Sequence, residues 1–515
     1  MSSAYLLAID IGTTNCKTLV VDDHLNTVDK VVVEYAVSTP HPGWAEQHPN
    51  DWWDAVRRSI RQIVANVGAD AIQAIGLSGQ MHGLVLLDGD GAVLRPAILW
   101  NDQRSFKECD DVYDAVGGKS ELLSHTNNPM LPGYTGGKIL WVRRHEPEIY
   151  AQIATVLLPK DFIRYKLTGL LGTDVSDASG TGLFDVQNRR WASQLITGLD
   201  IPESWLPHVH ESSDVVGTVT QAVAAETGLK ARTPVVTGGG DAVMQTVGAG
   251  AVDDRVALIV IGTGGNVTVT VPTCVDNPDA RLQVFCHVIP NRWTAMGVTL
   301  TAGSSLKWYR DTLGGFERAV AHEIGSDPYD LLSAEAARSP LGARGLVFLP
   351  YLQGERCPHT DVNARGVFVG LSVSTTRGDI VRSIMEGVTL SLRDVLALLF
   401  DLGVAPERIH SSGGGSASPL WRQIQADVFD RPVSTLDHSE DASAIGAAIV
   451  AGMSQGCWSS IDSAVQLIAT RTVNQPIPSQ AERYAALFQI YRALYPALQT
   501  SFVDLRDFAS SVTQL

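Results

Sequence analysis

Charge is scarce in this chain, and positive charge is the scarcer kind. Of 515 residues only 18% are charged, and 39 Lys and Arg stand against 55 Asp and Glu, a formal net charge of -16. Such a surface repels polyanions, so neither a nucleic acid nor a membrane is an expected partner. Any phosphate site must rely on backbone N–H groups, a metal ion or a local lysine. Cysteine is thin too. The six, Cys16, Cys109, Cys274, Cys286, Cys357 and Cys457, form no Cys-x-x-Cys pair, so neither a zinc site nor a disulfide framework is indicated. No apolar run is long enough to span a bilayer. The start lacks a basic segment followed by an unbroken apolar stretch, because Asp10 interrupts it, and a reducing, cytoplasmic location is expected. Two nucleotide fingerprints are also missing: no stretch reads G-x-x-x-x-G-K-[ST], and none makes a convincing G-x-G-x-x-G turn.

Apolar residues are plentiful at 45%. With this length they imply a packed protein of at least two large domains. "YLLAIDIG" and "KTLVVDD" read as strands around a Thr-Thr-Asn turn. "NDWWDAVRRSIRQIVANV" has helical spacing, and "AIQAIGLSG" and "LVLLDGDG" are apolar strands ending in turn residues. Strands alternating with helices predict an α/β domain. "GAGAVDDR", Gly248 to Arg255, is the candidate boundary. Beyond it "VALIVIGTGGNVTVTVP" repeats the opening pattern, with Gly262-Thr263 in the place of Gly12-Thr13, which suggests a duplicated domain. "TTRGDIVRSIMEGVTLSLRDVLALLFDLG" predicts a long amphipathic helix. "RIHSSGGGSASPLWRQIQADVFD" reads as strand, glycine turn and helix, and "DASAIGAAIVAGM" as a small-residue helix packed closely on something.

Four stretches carry possible chemistry. Asp10 sits in a β-prone run just before Gly12-Thr13-Thr14. Asp is disfavoured in strands, so its charge needs a compensating partner. A hairpin of Gly and small hydroxyl residues lets backbone N–H groups approach phosphate oxygens, and an adjacent carboxylate can hold Mg²⁺. An ordinary turn with a capping aspartate would look the same. "VTGGGDAVMQTVGAG" places Asp241 after three glycines, between a strand and a helix. It is suited either to accept a proton from an attacking hydroxyl or to cap the helix. Gly413-Gly414-Gly415 before a helix is a turn that can lie flat against a nucleotide, or simply a tight connection. Met81 and His82 in "GLSGQMHGLVLLD" end a strand and suit a polar ligand pocket; no second metal-ligating residue stands at ligand spacing from His82.

The order of these segments resembles the FGGY carbohydrate kinases along nearly the whole chain. "GYTGGKILWVRRH", Gly133 to His145, is similar to the first signature of that family, and "GVFVGLSVSTTRGDIVRSIME", Gly366 to Glu386, to the second. "RPAILWNDQRS", "NNPMLPGYT", "LLPKDFIRYKLTG" and "FLPYLQGERCPH" resemble further landmarks. The resemblance implies an α/β fold with two ribonuclease H-like domains of the actin and sugar-kinase type, 1–249 and 250–515, around a central cleft. It implies an ATP- and Mg²⁺-dependent kinase for the terminal hydroxyl of a ketopentose, with D-xylulose expected and another ketose, polyol or sugar acid as the alternative. Asp241 matches the catalytic base and Asp10 the carboxylate associated with magnesium. Met81 and His82 match sugar contacts. Gly12, Thr13, Thr14, Gly262 and Thr263 match the phosphate hairpins, with Lys17 as a further phosphate partner, and Gly413, Gly414, Gly415 and Ser416 match the adenosine side. A homodimer is expected. Two positions depart from the family pattern: Ala242 replaces the usual Asn or Gln after the base, and Gly264 replaces a serine. A non-catalytic sensor on this fold would need neither Asp10 nor Asp241, and an actin-like ATPase would not need the Gln-Met-His segment.

Overall fold

The computed structural model describes residues 4–513. The chain packs into two compact units: one holds residues up to Val252 with Thr270–Thr294 and Asp441–Ile468, the other Asp253–Val269, Ala295–Glu440 and the chain from Ala469. The expected single cut, 1–249 from 250–515, therefore does not describe the packing. The chain returns to the first unit twice, and the reason lies in what those two segments cover.

The first unit is built on a mixed sheet. Strands β1 (Tyr5–Ile11), β2 (Asn15–Val21) and β3 (Thr27–Glu34) form an antiparallel meander, and β4 (Ile72–Gly79) lies parallel to β1 on its other side. Beyond β4 come β6 (Pro234–Val236) and then β5 (Val215–Thr218), while β7 (Gly239–Gly240) continues along the end of β4. The meander follows from alternating Val, Ile and Leu closed by tight turns. Helix Pro49–Val67 starts on Pro at its first turn, with the His48 ring accepting the Asn50 N–H, and buries Trp52, Trp53, Val56, Ile60 and Ile63. Those side chains join Leu7, Ile9, Val20 and Ile75 in one core.

The second unit repeats this order. Strands β8 (Val256–Ile261), β9 (Gly265–Val271) and β10 (Trp293–Thr299) are neighbours in sequence order; β11 (Arg408–Ser412) lies parallel to β8, followed by β12 (Val433–Leu436) and antiparallel β13 (Thr470–Asn474). In both units a hairpin joins the first two strands and a parallel strand flanks the first, so the repeat seen in the two Gly-Thr turns is a repeat of the whole sheet. The predicted long helix is Arg377–Asp401, opened by a Thr376–Asp379 capping box. Among the described residues no helix is long and apolar enough to cross a membrane.

The small-residue helix is Ala442–Ser454, and it packs in the first unit against β1, β4 and helix Asp241–Gly248. The approach is backbone to backbone. A Cβ on Gly446 would collide with the Met244 carbonyl, one on Gly248 with the Ala442 carbonyl and one on Gly76 with the Ala447 carbonyl. Only glycine allows such contact, and an interior this close has no room to relax. Asp441, at the head of this helix, is held by Lys17 Nζ at 2.8 Å and Lys30 Nζ at 2.8 Å. Gly446→Ala should therefore cost about 1–3 kcal/mol, read as a first thermal transition lowered by several degrees in scanning calorimetry. An unchanged transition would mean that the two helix backbones do not touch.

Candidate active site

Asp10 lies near the end of β1, paired in register with Lys17 of β2 and Ser78 of β4. One carboxylate oxygen, Oδ1, is buried without a hydrogen-bond partner. Burial raises its pKa above the ordinary value, partly offset by the nearby Ser78 hydroxyl and the Lys17 charge. The compensation its sequence position calls for is thus only partial inside the protein. Lys17 itself is committed to Asp441, a bond that the sequence reading of Lys17 as a phosphate partner did not foresee.

The turn after Asp10 is held from three sides. Tyr35 Oη donates to the carbonyls of Gly12 (2.6 Å) and Asn15 (2.8 Å), Gln47 Nε2 to the carbonyl of Thr13 (2.6 Å), and Trp100 Nε1 to Thr13 Oγ1 (2.9 Å). Gly12 N–H is spent on Asn15 O. Among the described residues, the N–H groups of Thr13 and Thr14 have no acceptor, so they are donors available to an anion.

Asp241 opens helix Asp241–Gly248, and Gly240 rather than Asp241 takes the cap position. Its Oδ1 accepts the Ala242 N–H at 2.7 Å. The three preceding glycines are each needed for close approach. Side chains there would strike the Leu77 backbone (Gly238), Val288 and Ser176 (Gly239), and Met81 (Gly240). Burial first, and then the charge of Asp10, push the Asp241 pKa up from 3.8 to about 7. A carboxylate poised there is matched to proton abstraction near neutral pH.

Met81 is buried against Gly240 and Gly180. His82 has a left-handed backbone, φ 68°, which is costly for a non-glycine residue. It is over-determined by its surroundings. Its Nδ1 meets Gly180 O at 2.6 Å and its ring stacks on Tyr134 at 4.7 Å. Its carbonyl accepts from Thr135 Oγ1 (3.1 Å) and from the fully buried Lys138 Nζ (2.8 Å), which also donates to Gly133 O (2.7 Å). Burial pulls the Lys138 pKa down to about 7. The lysine of "GYTGGKILW" thus locks the residue next to Met81. Asp10, Asp241, Met81 and His82 all belong to the first unit.

The second unit holds a cavity of about 390 Å³, a size suited to a small ligand. Gly262, Thr263, Gly414 and Gly415 line it, together with Lys307, Asp327, Tyr329 and Trp421. Gly413 and Ser416 are not in the lining. Gly413, at φ 77°, sits so close to Ile261 O that a Cβ would come within 2.6 Å, and Ser416 Oγ donates back to Gly413 O at 2.7 Å. Both shape the turn. Helix Gly303–Thr312 begins against the second hairpin, with Gly303 N–H on Gly262 O and Ser304 Oγ on Thr263 O. Gly264 has a structural reason: a Cβ there would lie 2.7 Å from Thr299 O. Lys307 lies inside helix Gly303–Thr312, and Asp327 caps helix Pro328–Ala337 in "GSDPYD", a signal that marks a helix start with Tyr329 in its first turn and says nothing of a ligand. Trp421 stood two residues beyond the glycine turn's proline and was legible only as helix.

The family model of the FGGY carbohydrate kinases' N-terminal domain matches residues 5–248, and that of their C-terminal domain residues 257–455. This chain belongs to the FGGY family of carbohydrate kinases. A xylulose kinase of Staphylococcus epidermidis is 38% identical over 508 residues, 98% of this chain and 99% of that one. A gluconokinase of Bacillus subtilis is 29% identical over 98% of each. The crystal structure of a xyloylose kinase from Brucella ovis matches at a TM-score of 0.87 and 35% identity, covering 96% of this chain and 99% of that one. The FGGY kinase is accordingly a phosphotransferase with an alcohol acceptor, using ATP and a sugar.

The raised pKa of Asp241 has a stability consequence. The native FGGY kinase binds that proton more tightly than the unfolded chain, so stability is lost as pH rises from about 4 to about 7. Asp241→Asn keeps an oxygen for the Ala242 N–H and removes the charge. It should melt higher than the parent at pH 8, with the gap narrowing as pH falls towards 5. A lower melting temperature at pH 8 would contradict the burial of a charged carboxylate there.

Proposed function

We propose that this kinase transfers the γ-phosphoryl group of ATP to O5 of D-xylulose, giving D-xylulose 5-phosphate and ADP. The observation that carries the reading is Asp241: a carboxylate at a glycine-cleared turn, with a pKa of about 7, following Gly240, against which Met81 packs. Near-full-length similarity to xylulose kinases supports the choice of sugar. The sugar lies against Met81 and His82. Asp241 takes the proton of the O5 hydroxyl as O5 bonds to the γ-phosphorus, and the bond from that phosphorus to the bridging oxygen breaks to release ADP. In the first unit the N–H groups of Thr13 and Thr14 are offered to phosphate oxygens; in the second, Gly414, Gly415 and Trp421 receive the nucleoside, with Thr263 lining the same cavity. Lys17 acts behind the first hairpin through Asp441, and Gly413 and Ser416 act by holding the adenosine-side turn. Mg²⁺ fits Asp10, whose buried Oδ1 lacks a partner; when bound, it neutralises charge on the phosphates. The same reading carries a homodimer in the cytoplasm, the dimer to be checked by light scattering.

Another ketose, a polyol or a sugar acid is the second reading, favoured by the gluconokinase similarity and by Ala242. Alanine offers the sugar no side-chain hydrogen bond. A neutral hydrogen bond contributes roughly 0.5–1.5 kcal/mol, so its loss weakens discrimination by about tenfold. ADP release should be measured over pentuloses, hexuloses, polyols and gluconate. D-xylulose should be turned over best, with a modest preference, and Ala242→Asn should lower its KM more than that of its competitors. No turnover of D-xylulose alongside good turnover of another sugar would overturn the choice, and no change in any KM would place residue 242 outside the pocket.

A further inference from the structure

Behind the turn that carries Asp241 lies a fully buried polar chain. Gly240 N–H donates to Ser176 Oγ at 3.1 Å, and Ser176 Oγ donates to Asp174 Oδ2 at 2.5 Å. Ser212 Oγ donates to the same oxygen at 2.8 Å, while Ser212 O accepts the Gly238 N–H at 3.0 Å. The two serines that converge on Asp174 thus hold both ends of the 238–240 turn. Asp174 Oδ1 is paired with Lys160 Nζ at 2.9 Å, and that ammonium also meets Asp161 at 2.6 Å and Asp177 at 3.5 Å. Lys160, Asp161, Asp174, Ser176, Asp177 and Ser212 are all 0% exposed. Burying an ammonium among three carboxyl groups, of which burial pushes Asp177 well towards its protonated form, is unfavourable for packing alone, since apolar residues of the same volume serve as well. What such a network supplies is a fixed geometry at Asp174, which Lys160, Ser176 and Ser212 hold at once.

We propose that Ser176 is a positioning residue for phosphoryl transfer: with Asp174 and Lys160 behind it, it fixes the Gly240 peptide and so the aim of the Asp241 carboxylate. The proposal rests on the reading of Asp241 as the base. Among the described hydrogen bonds Ser176 is the side chain that grips the Gly239–Gly240 peptide, one residue before that base, while Ser443 Oγ reaches the carbonyl of Asp241 itself at 3.3 Å. The tolerance is small, because β7 is pinned to β4 on one side and a Cβ at Gly239 would already crowd Ser176 Oγ at 2.9 Å. A misplacement of about 1 Å between reacting groups costs on the order of 10²-fold in rate.

The test is a double-mutant cycle on kcat with the best sugar of the panel, at saturating ATP and magnesium. Ser176→Ala should lower kcat by about 10- to 100-fold with little change in the sugar KM. In an Asp241→Asn background the same change should cost nothing more, because there is no base left to aim. Ser212→Ala removes the other hydroxyl from Asp174 but keeps the backbone bonds to the turn, and should stay within about threefold of the parent. Equal losses in Ser176→Ala and Ser212→Ala, or additive losses with Asp241→Asn, would overturn the proposal in favour of plain structural support. Full activity of Ser176→Ala alongside an inactive Asp241→Asn overturns the proposal alone, whereas an active Asp241→Asn overturns the assignment of the base. Should Ser176→Ala not fold, Ser176→Cys puts a larger and weaker acceptor at the same position and should show an intermediate kcat. Wild-type kcat in that variant would count against the role.

Discussion

Two carboxylates, Asp10 and Asp241, stand half-buried with protein packed around them, and the charge of one pushes up the pKa of the other. That repulsion is the constraint around which the first unit is arranged. A structure indifferent to chemistry would separate or neutralise them. Instead the backbone is brought close enough to keep both in place. Three consecutive glycines carry the chain past Leu77, Val288 and Met81. Tyr35, Gln47 and Trp100 pin the hairpin that follows Asp10.

The same demand explains why the chain returns to the first unit late. Helix Ala442–Ser454 buttresses β1 and β4 from behind, and its glycine and alanine surface lets its backbone touch helix Asp241–Gly248. Its lead residue Asp441 draws Lys17 and Lys30 together. The strands that deliver Asp10 and the helix that delivers Asp241 are therefore held against one rigid element. The second unit, with the same strand order, carries Val260 before its Gly-Thr turn where the first carries Asp10; it offers a cavity lined by Gly262, Thr263, Gly415 and Trp421 instead. One architecture, used twice, supports two jobs.

Much of this was legible in the sequence because it is local. Strand periodicity, the Gly-Thr turns and the small-residue run at 442–454 are properties of neighbouring residues. Asp10 and Asp241 stood out because a carboxylate in an apolar strand, or after three glycines, breaks a local rule. The rest depends on contacts between distant parts of the chain. Lys17 read as a phosphate partner, and its ion pair with Asp441 could not be known without the fold. "LLPKDFIRYKLTG" was recognisable as a landmark, yet nothing in it shows that Lys160 would be buried among three aspartates. The cut at 249/250 agrees with where the two family models divide, 5–248 and 257–455, but it does not show that Thr270–Thr294 and Asp441–Ile468 pack in the first unit: which segment covers which strand is decided by packing.

The central claim is that Asp241 works as a base whose pKa burial raises above the ordinary carboxylate value. The most direct measurement is the pH dependence of kcat/KM for the sugar, with ATP and magnesium saturating across the range. Magnesium at Asp10 cancels that residue's share of the shift and leaves the share due to burial, so the account predicts a plateau at the alkaline end and a fall of about tenfold per pH unit below a midpoint that lies above 3.8. A midpoint at or below about pH 4 would contradict it.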